Sequence, residues 1–311
     1  MSPLHLAHGR NSAPRLPVTQ DQTHKVNPDE ILLASWSSTG PDTFTVDARW
    51  PQHHDFYTPR HGLHDPLMLV ETIRQTLPLL AHAAYDVPAG HQLLWHDVRW
   101  NLVPTALRVE GSPAEVELHI SCTDIKYRRC VPATMVLHAQ VARAGLPLAH
   151  ARTRFAIQDR AVYRRMRGVY ADIAAATAMA VTPEEPVAPS TVRRVRERDV
   201  VLSPTGSPGR WLLRVDVTHP VLFDHPVDHV PGMLLLEASR QAAQAVAPEA
   251  GPVIGMETVF IRYAELDAPC RLSAVPCDRD PMGNPQVLVT AHQRDEEVFT
   301  TTVTLARPQS S

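Results

Sequence analysis

The sequence predicts an α+β chain built from one unit used twice, a long apolar helix beside an antiparallel sheet. Three observations predict it. The stretch Glu71-Thr72-Ile73-Arg74-Gln75 and the stretch Glu237-Ala238-Ser239-Arg240-Gln241 carry the same Glu-x-x-Arg-Gln on the same kind of apolar helix. They lie a domain's length apart, a period too long for a solenoid. Runs of alternating hydrophobicity follow each helix, and 311 residues suffice for two cores of ordinary size.

In the first unit, Phe44, Val46, Ala48 and Trp50 alternate along one face of a strand. A His-rich loop leads to the first helix, where Asp65 is a plausible N-cap and Pro66 occupies the first helical position. Pro78 is expected to kink that helix or end its regular part. Four strands are predicted next, at 93–103, 116–126, 134–143 and 149–157. Residues 1–30 are polar and dotted with proline, and are expected to form a flexible arm before a first domain at 31–158. Residues 159–195 lose the alternation and read as a connector, leaving 196–311 as the second domain.

The second unit repeats the order. A strand at 211–217 precedes the loop from His219 to Pro231, and the helix runs from Met233 to Val246 without a breaker. Strands are expected near 257–266, 270–277, 286–292 and 298–305. One strand, one long helix and four antiparallel strands is the element order of the hotdog fold. Two copies predict a double hotdog, its two sheets joined edge to edge.

Composition narrows the function classes. A formal net charge of −3 and a pI near 6.6 give no electrostatic footprint for nucleic acid. No apolar run is long enough to span a bilayer, and the first residues lack the apolar core of a signal peptide, so a cytoplasmic protein is expected. Cys122, Cys130, Cys270 and Cys277 lack zinc-type spacing and are read as buried, reduced thiols in strands. Lysine occurs only at Lys25 and Lys126, which argues against Schiff-base chemistry. No pair among the 17 histidines has a helical ligand spacing completed by a carboxylate, so neither a metal nor a cofactor is expected.

Several segments together resemble one family. They are His61-Gly62-x-His64-Asp65-Pro66-Leu67 with Glu71-x-x-Arg74-Gln75, and Val162-Tyr163-Arg164-Arg165-Met166-Arg167-Gly168. Further on come Asp228-His229-Val230-Pro231-Gly232-Met233-Leu234-Leu235-Leu236-Glu237-Ala238 and Phe260-Ile261-Arg262-Tyr263-Ala264-Glu265. In this order they resemble the AfsA-type γ-butyrolactone synthases, the A-factor biosynthesis proteins. The resemblance implies tandem hotdogs. It also implies an acyltransferase that joins a β-ketoacyl chain, carried as a thioester on acyl carrier protein, to the hydroxyl of dihydroxyacetone phosphate. The product would lead to a signalling lactone.

That chemistry needs a base, donors for the developing oxyanion, and a grip on the acceptor. Glu71 and Glu237 are candidate bases, because burial on an apolar helix raises a carboxylate's pKa. The free N–H groups of Gly232 and Met233 at a helix start are candidate oxyanion donors. Arg74 and Arg240 are candidate forks for the phosphate. His229, His64, Gln75 and Gln241 are further candidate substrate-binding residues, the two glutamines sharing the polar helix stripe with the Glu–Arg pairs and read first as supports for them. The competing reading of each pair is a solvated i, i+3 contact worth about 0.2–0.5 kcal/mol. The arginines at 164, 165, 167, 193, 194, 196 and 198 either dock an acidic carrier or line a solvated connector.

Two rival functions remain. One is a hotdog dehydratase or thioesterase, although the position of the dehydratase's catalytic histidine is held here by Phe223. The other is a non-catalytic acyl-binding module.

Overall fold

A computed structural model describes residues 14–308. The first half contains β1 (Leu16–Pro17), β2 (Leu33–Gly40), β3 (Thr43–Trp50), α1 (Pro66–Ala83), β4 (Gln92–Leu102), β5 (Ala114–Arg128), β6 (Val131–Arg143) and β7 (Leu146–Gln158). Two short helices follow, α2 (Arg160–Arg167) and α3 (Ile173–Ala178). The second half contains β8 (Leu202–Pro204), β9 (Arg210–Leu213), α4 (Gly232–Val246), β10 (Val253–Phe260), β11 (Cys270–Cys277), β12 (Gln286–Gln293) and β13 (Glu296–Leu305).

Among the described residues, all thirteen strands form one sheet, in the order β1-β2-β3-β5-β6-β7-β4-β10-β13-β12-β11-β9-β8. Read outward from the β4–β10 seam, both sides run in the same sense: β4-β7-β6-β5-β3-β2 against β10-β13-β12-β11-β9-β8. The duplication is therefore visible as a pseudo-twofold axis through the seam. α1 and α4 each lie buried almost along their whole length, which is why both are apolar nearly all round. They also touch one another. This is the double hotdog arrangement expected from the element order.

At the seam the antiparallel register places Val98 opposite Thr258 and Asn101 opposite Gly255. Arg99 and Glu257 pair across it at 2.9 Å. Gly255 is required by crowding rather than by its φ. A Cβ there would lie 2.9 Å from the Trp100 carbonyl oxygen.

Several expectations change. α1 passes through Pro78 and continues to Ala83. The ring removes one backbone donor, and the packing that buries the helix outweighs that loss. Residues 14–30 are ordered and bury Lys25 and Glu30; the rest of the expected arm, 1–13, lies outside the described residues. The segment read as a connector is helical in part and buries Tyr163, Arg167 and Arg194. β9 ends at Leu213 and β10 at Phe260, earlier than predicted, so residues 261–266 leave the sheet and reach toward the start of α4. Cys122 and Cys270 are buried, but Cys130 and Cys277 are exposed, on the β5–β6 turn and at the end of β11. All four are free thiols. Among the described residues no helix is long and apolar enough to cross a membrane.

Gly255→Ala should lower the melting temperature by several degrees, because overpacking of this kind costs about 1–3 kcal/mol. Thermal unfolding checks it, and an unchanged midpoint would mean that the seam has slack.

Candidate functional site

The two Glu-x-x-Arg-Gln stripes are buried lattices, one per half. In the second, Glu237 accepts from Arg240 Nε at 2.8 Å and from Arg240 Nη2 at 2.5 Å. Arg194 donates to the same carboxylate from Nε at 2.8 Å and approaches its other oxygen at 2.7 Å. Gln241 also donates to Glu237, then bridges the Asp199 carbonyl and the Val201 N–H. Arg194 reaches across to the first half, donating to the Phe56 carbonyl at 2.6 Å and lying 3.5 Å from Asp65. Its guanidinium sits 4.2 Å above the Phe56 ring.

The first half repeats the plan with Lys25 in place of Arg194. Glu71 lies 3.1 Å from Lys25 Nζ and accepts two bonds from Arg74 and one from Gln75. Gln75 bridges the Glu30 carbonyl and the Leu32 N–H. The upstream histidines match as well. His54 Nδ1 accepts from the Phe56 and Tyr57 N–H groups, and His219 Nδ1 from those of Val221 and Leu222.

These lattices correct the expected carboxylate chemistry. Burial alone would raise the pKa of Glu237, but Arg194 and Arg240 outweigh it and hold the group down to about 2. Burial likewise opposes ionisation of Glu71, and Arg74 and Lys25 hold it well below the usual carboxylate range. Both are poor proton acceptors at neutral pH. Arg240 is also spent, with its third contact going to Gln244, and Arg74 spends Nε and Nη2 on Glu71. The solvated-pair reading fails equally, since both carboxylates are buried. Gln75 and Gln241 fasten the chain entering each sheet.

His64 stands apart from both lattices. It is buried edge-on against Trp50, with neither ring nitrogen hydrogen-bonded among the described residues. Burial first, then Arg143, lowers its pKa to about 4.

A third cluster was not assembled from the sequence, although its members lie in the segments that carried the resemblance. Asp228 Oδ1 lies 2.6 Å from His229 Nδ1. The Tyr163 hydroxyl is 2.8 Å from both oxygens of that carboxylate. Arg167 donates from Nε to Asp228 Oδ2 at 3.1 Å, and grips Glu265 through both terminal nitrogens at 2.6 and 2.7 Å. Tyr263 lies beneath the Arg167 guanidinium at 4.0 Å, with its ring 4.8 Å from that of His229. Burial opposes the Asp228 charge, but His229, Tyr163 and Arg167 hold its pKa down to about 2. His229 itself remains partly exposed. Spacing alone could not have found this cluster, because its parts come from residues about a hundred positions apart.

His229 leads directly into α4. The Val230 N–H donates to the Ala264 carbonyl at 2.8 Å, fixing the approach. Pro231 is the N-cap and no side chain caps the helix. The N–H groups of Gly232 and Met233 have no partner among the described residues. α1 differs, because the Asp65 side chain accepts from the Leu67 N–H at 2.9 Å and occupies that helix start. A Cβ on Gly232 would lie 3.1 Å from Trp95 and 3.3 Å from Phe260, which stack with centroids 5.2 Å apart. An aromatic wall with one residue from each half thus covers the open helix start. Among the described residues, no group of His, Cys, Asp and Glu is arranged to hold a metal ion.

The family profile described as the A-factor biosynthesis hotdog domain, AfsA, matches residues 7–159 and 175–307. The chain belongs to the AfsA family. Among its relatives is a 2-oxo-3-(phosphooxy)propyl 3-oxoalkanoate synthase from Streptomyces virginiae, 43% identical over 284 residues, or 91% of this chain and 95% of that protein. A protein of the same name from Streptomyces coelicolor is 42% identical over 293 residues, covering 93% and 91%. An acyl-ACP thioesterase structure from Bacteroides thetaiotaomicron superposes with a TM-score of 0.50 at 11% identity, covering 85% of this chain and 98% of that one. At that identity it shows the shared hotdog fold alone. In this member of the AfsA family, the start of α4 brings together uncapped backbone N–H groups, the Trp95–Phe260 stack and the His229–Asp228 pair.

Two tests follow from the lattices. Arg194→Ala should destabilise the protein by about 3–5 kcal/mol in urea unfolding, since it strands the buried Glu237 and Asp65. A loss under 1 kcal/mol would show that Arg240 alone suffices. Stability should also fall on acidification. His24 and His64 sit near 4 in the fold against an ordinary 6.5, so the unfolded chain takes up their protons first and stability drops from about pH 6.5 to 4. Glu237 and Asp228, depressed to about 2, extend the loss below the ordinary carboxylate range. His64→Phe should flatten the upper part of that profile, as read from unfolding midpoints between pH 7.5 and 4.5.

Proposed function

We propose that this chain is a cytoplasmic acyltransferase that moves a β-ketoacyl group from acyl carrier protein to the hydroxyl of dihydroxyacetone phosphate. The product is a 2-oxo-3-(phosphooxy)propyl 3-oxoalkanoate. The observation that carries the reading is near full-length similarity, at 43% identity, to a synthase named for that product. The His229–Asp228 pair beside an uncapped helix start supports it, because acyl transfer needs a base next to an oxyanion site.

In this reading Asp228 holds His229 through Nδ1, leaving Nε2 to take the proton of the acceptor hydroxyl. The alkoxide oxygen attacks the thioester carbonyl, and the Gly232 and Met233 N–H groups stabilise the negative charge at the start of α4. The intermediate collapses with cleavage of the C–S bond, and the proton on His229 passes to the leaving thiolate. Tyr163 and Arg167 position Asp228 and keep it ionised, while Trp95 and Phe260 exclude water from the helix start. The Glu71 and Glu237 lattices hold the two halves in register around this centre. The α4 start is the reacting one, because Asp65 already fills the equivalent place on α1.

With a β-ketoacyl thioester and dihydroxyacetone phosphate, free thiol should appear only when both are present. Release without the acceptor would identify a thioesterase instead. His229→Gln should leave the melting temperature unchanged and reduce kcat by about 10²–10⁴-fold. Retention of the full rate would move the base elsewhere.

A further inference from the structure

α2 has two faces of opposite character. Tyr163 and Arg167, one turn apart, are buried against Asp228 and Glu265. Arg160, Arg164 and Arg165 are exposed, and no carboxylate pairs with them among the described residues. The single acidic residue at the helix start, Asp159, turns its carboxylate onto the N–H groups of Ala161 and Val162.

The β5–β6 turn extends the same patch. β7 ends at Gln158, immediately before α2, and Thr134 on β6 pairs with Ala156 on β7. Continuing that register brings Val131 and the turn preceding it level with the start of α2. Lys126, Arg128 and Arg129 on that hairpin are exposed and equally unpaired among the described residues. The Val162 and Ala161 N–H groups hold the Asp159 carboxyl down, and His91 and then Arg129 lie near enough to add to this. Six exposed cations therefore lack a carboxylate partner among the described residues, in a chain whose net charge is −3. Met166, Val169 and Tyr127 are exposed within the patch, at 52%, 78% and 58%. Such apolar surface beside unpaired charge is the pattern of an interaction face.

We propose that the outer face of α2 and the β5–β6 turn form the docking surface for an acidic carrier protein that presents the acyl thioester. This rests on the acyl-transfer reading above and specifies where the donor binds. The charges attract and orient an acidic partner. The same helix that meets the carrier holds Asp228 on its inner face, so docking delivers the thioester beside His229.

The test compares two donors carrying the same β-ketoacyl group, one on purified acyl carrier protein and one on a small pantetheine thiol. The double variant Arg164→Glu/Arg165→Glu should lower kcat/KM for the carrier-bound donor about tenfold or more, with the pantetheine donor changed less than about twofold. Raising ionic strength should mimic the variant in the wild type for the carrier-bound donor alone. Arg128→Glu/Arg129→Glu on the hairpin should give the same selective loss, and it keeps the test open if the α2 variant folds poorly. Equal effects on both donors, or none on either, would overturn the docking surface. Absence of turnover with both donors in the wild type would instead overturn the acyl-transfer reading.

Discussion

The molecule is organised around a carboxylate held inside it by two guanidinium groups. Glu237 lies on α4 among apolar neighbours, where a lone negative charge would be costly, and Arg194 and Arg240 remove that cost. The arrangement does more than neutralise. Arg194 also grips the Phe56 carbonyl and approaches Asp65, so one residue ties the central helix of the second half to the loop and helix start of the first. Gln241 then fixes the chain entering β8. The charge cluster is best understood as a geometric staple whose value is in the unique position it imposes.

Much of the fold was legible because its signals are local. The helices announced themselves through uninterrupted apolar runs, and the strands through alternation at 114–158 and 270–305. The duplication was legible because Glu71, Arg74 and Gln75 keep the spacing of Glu237, Arg240 and Gln241. What escaped were the partners that complete these groups. Lys25 and Arg194 lie in proline-dotted polar stretches with no periodicity, so nothing local marks them as interior residues. Burial of the carboxylates could be anticipated, but the sign of their pKa shift depended on cations supplied from far along the chain.

The candidate site shows the same division. His229, Gly232 and Met233 were legible because one short segment runs from a loop into a helix. Asp228 stood in that segment too, yet its significance depends on Tyr163 and Arg167 arriving from α2 and on Tyr263 and Glu265 arriving after β10 leaves the sheet. The early end of β10 at Phe260 makes this possible, since a continued strand would have kept Tyr263 and Glu265 in the ladder. Several expectations about the arginines between 164 and 198 were half right for a related reason. Arg167 and Arg194 turn inward, and Arg193 is held by the carbonyls of Pro248, Ala250 and Gly251, whereas Arg164 and Arg165 stay in solvent.

The pseudo-twofold axis holds in strand order for every strand but β1, which has no counterpart, and it is broken at the helix starts. On α1 the polypeptide supplies its own anion, the carboxylate of Asp65, to the exposed amides; on α4 a proline stands in that place and supplies none. Duplication thus left one copy self-satisfied and the other hungry for charge. Under the acyl-transfer reading proposed above, only the α4 start is left to receive a substrate's charge, and the first half serves as the frame that keeps it in shape.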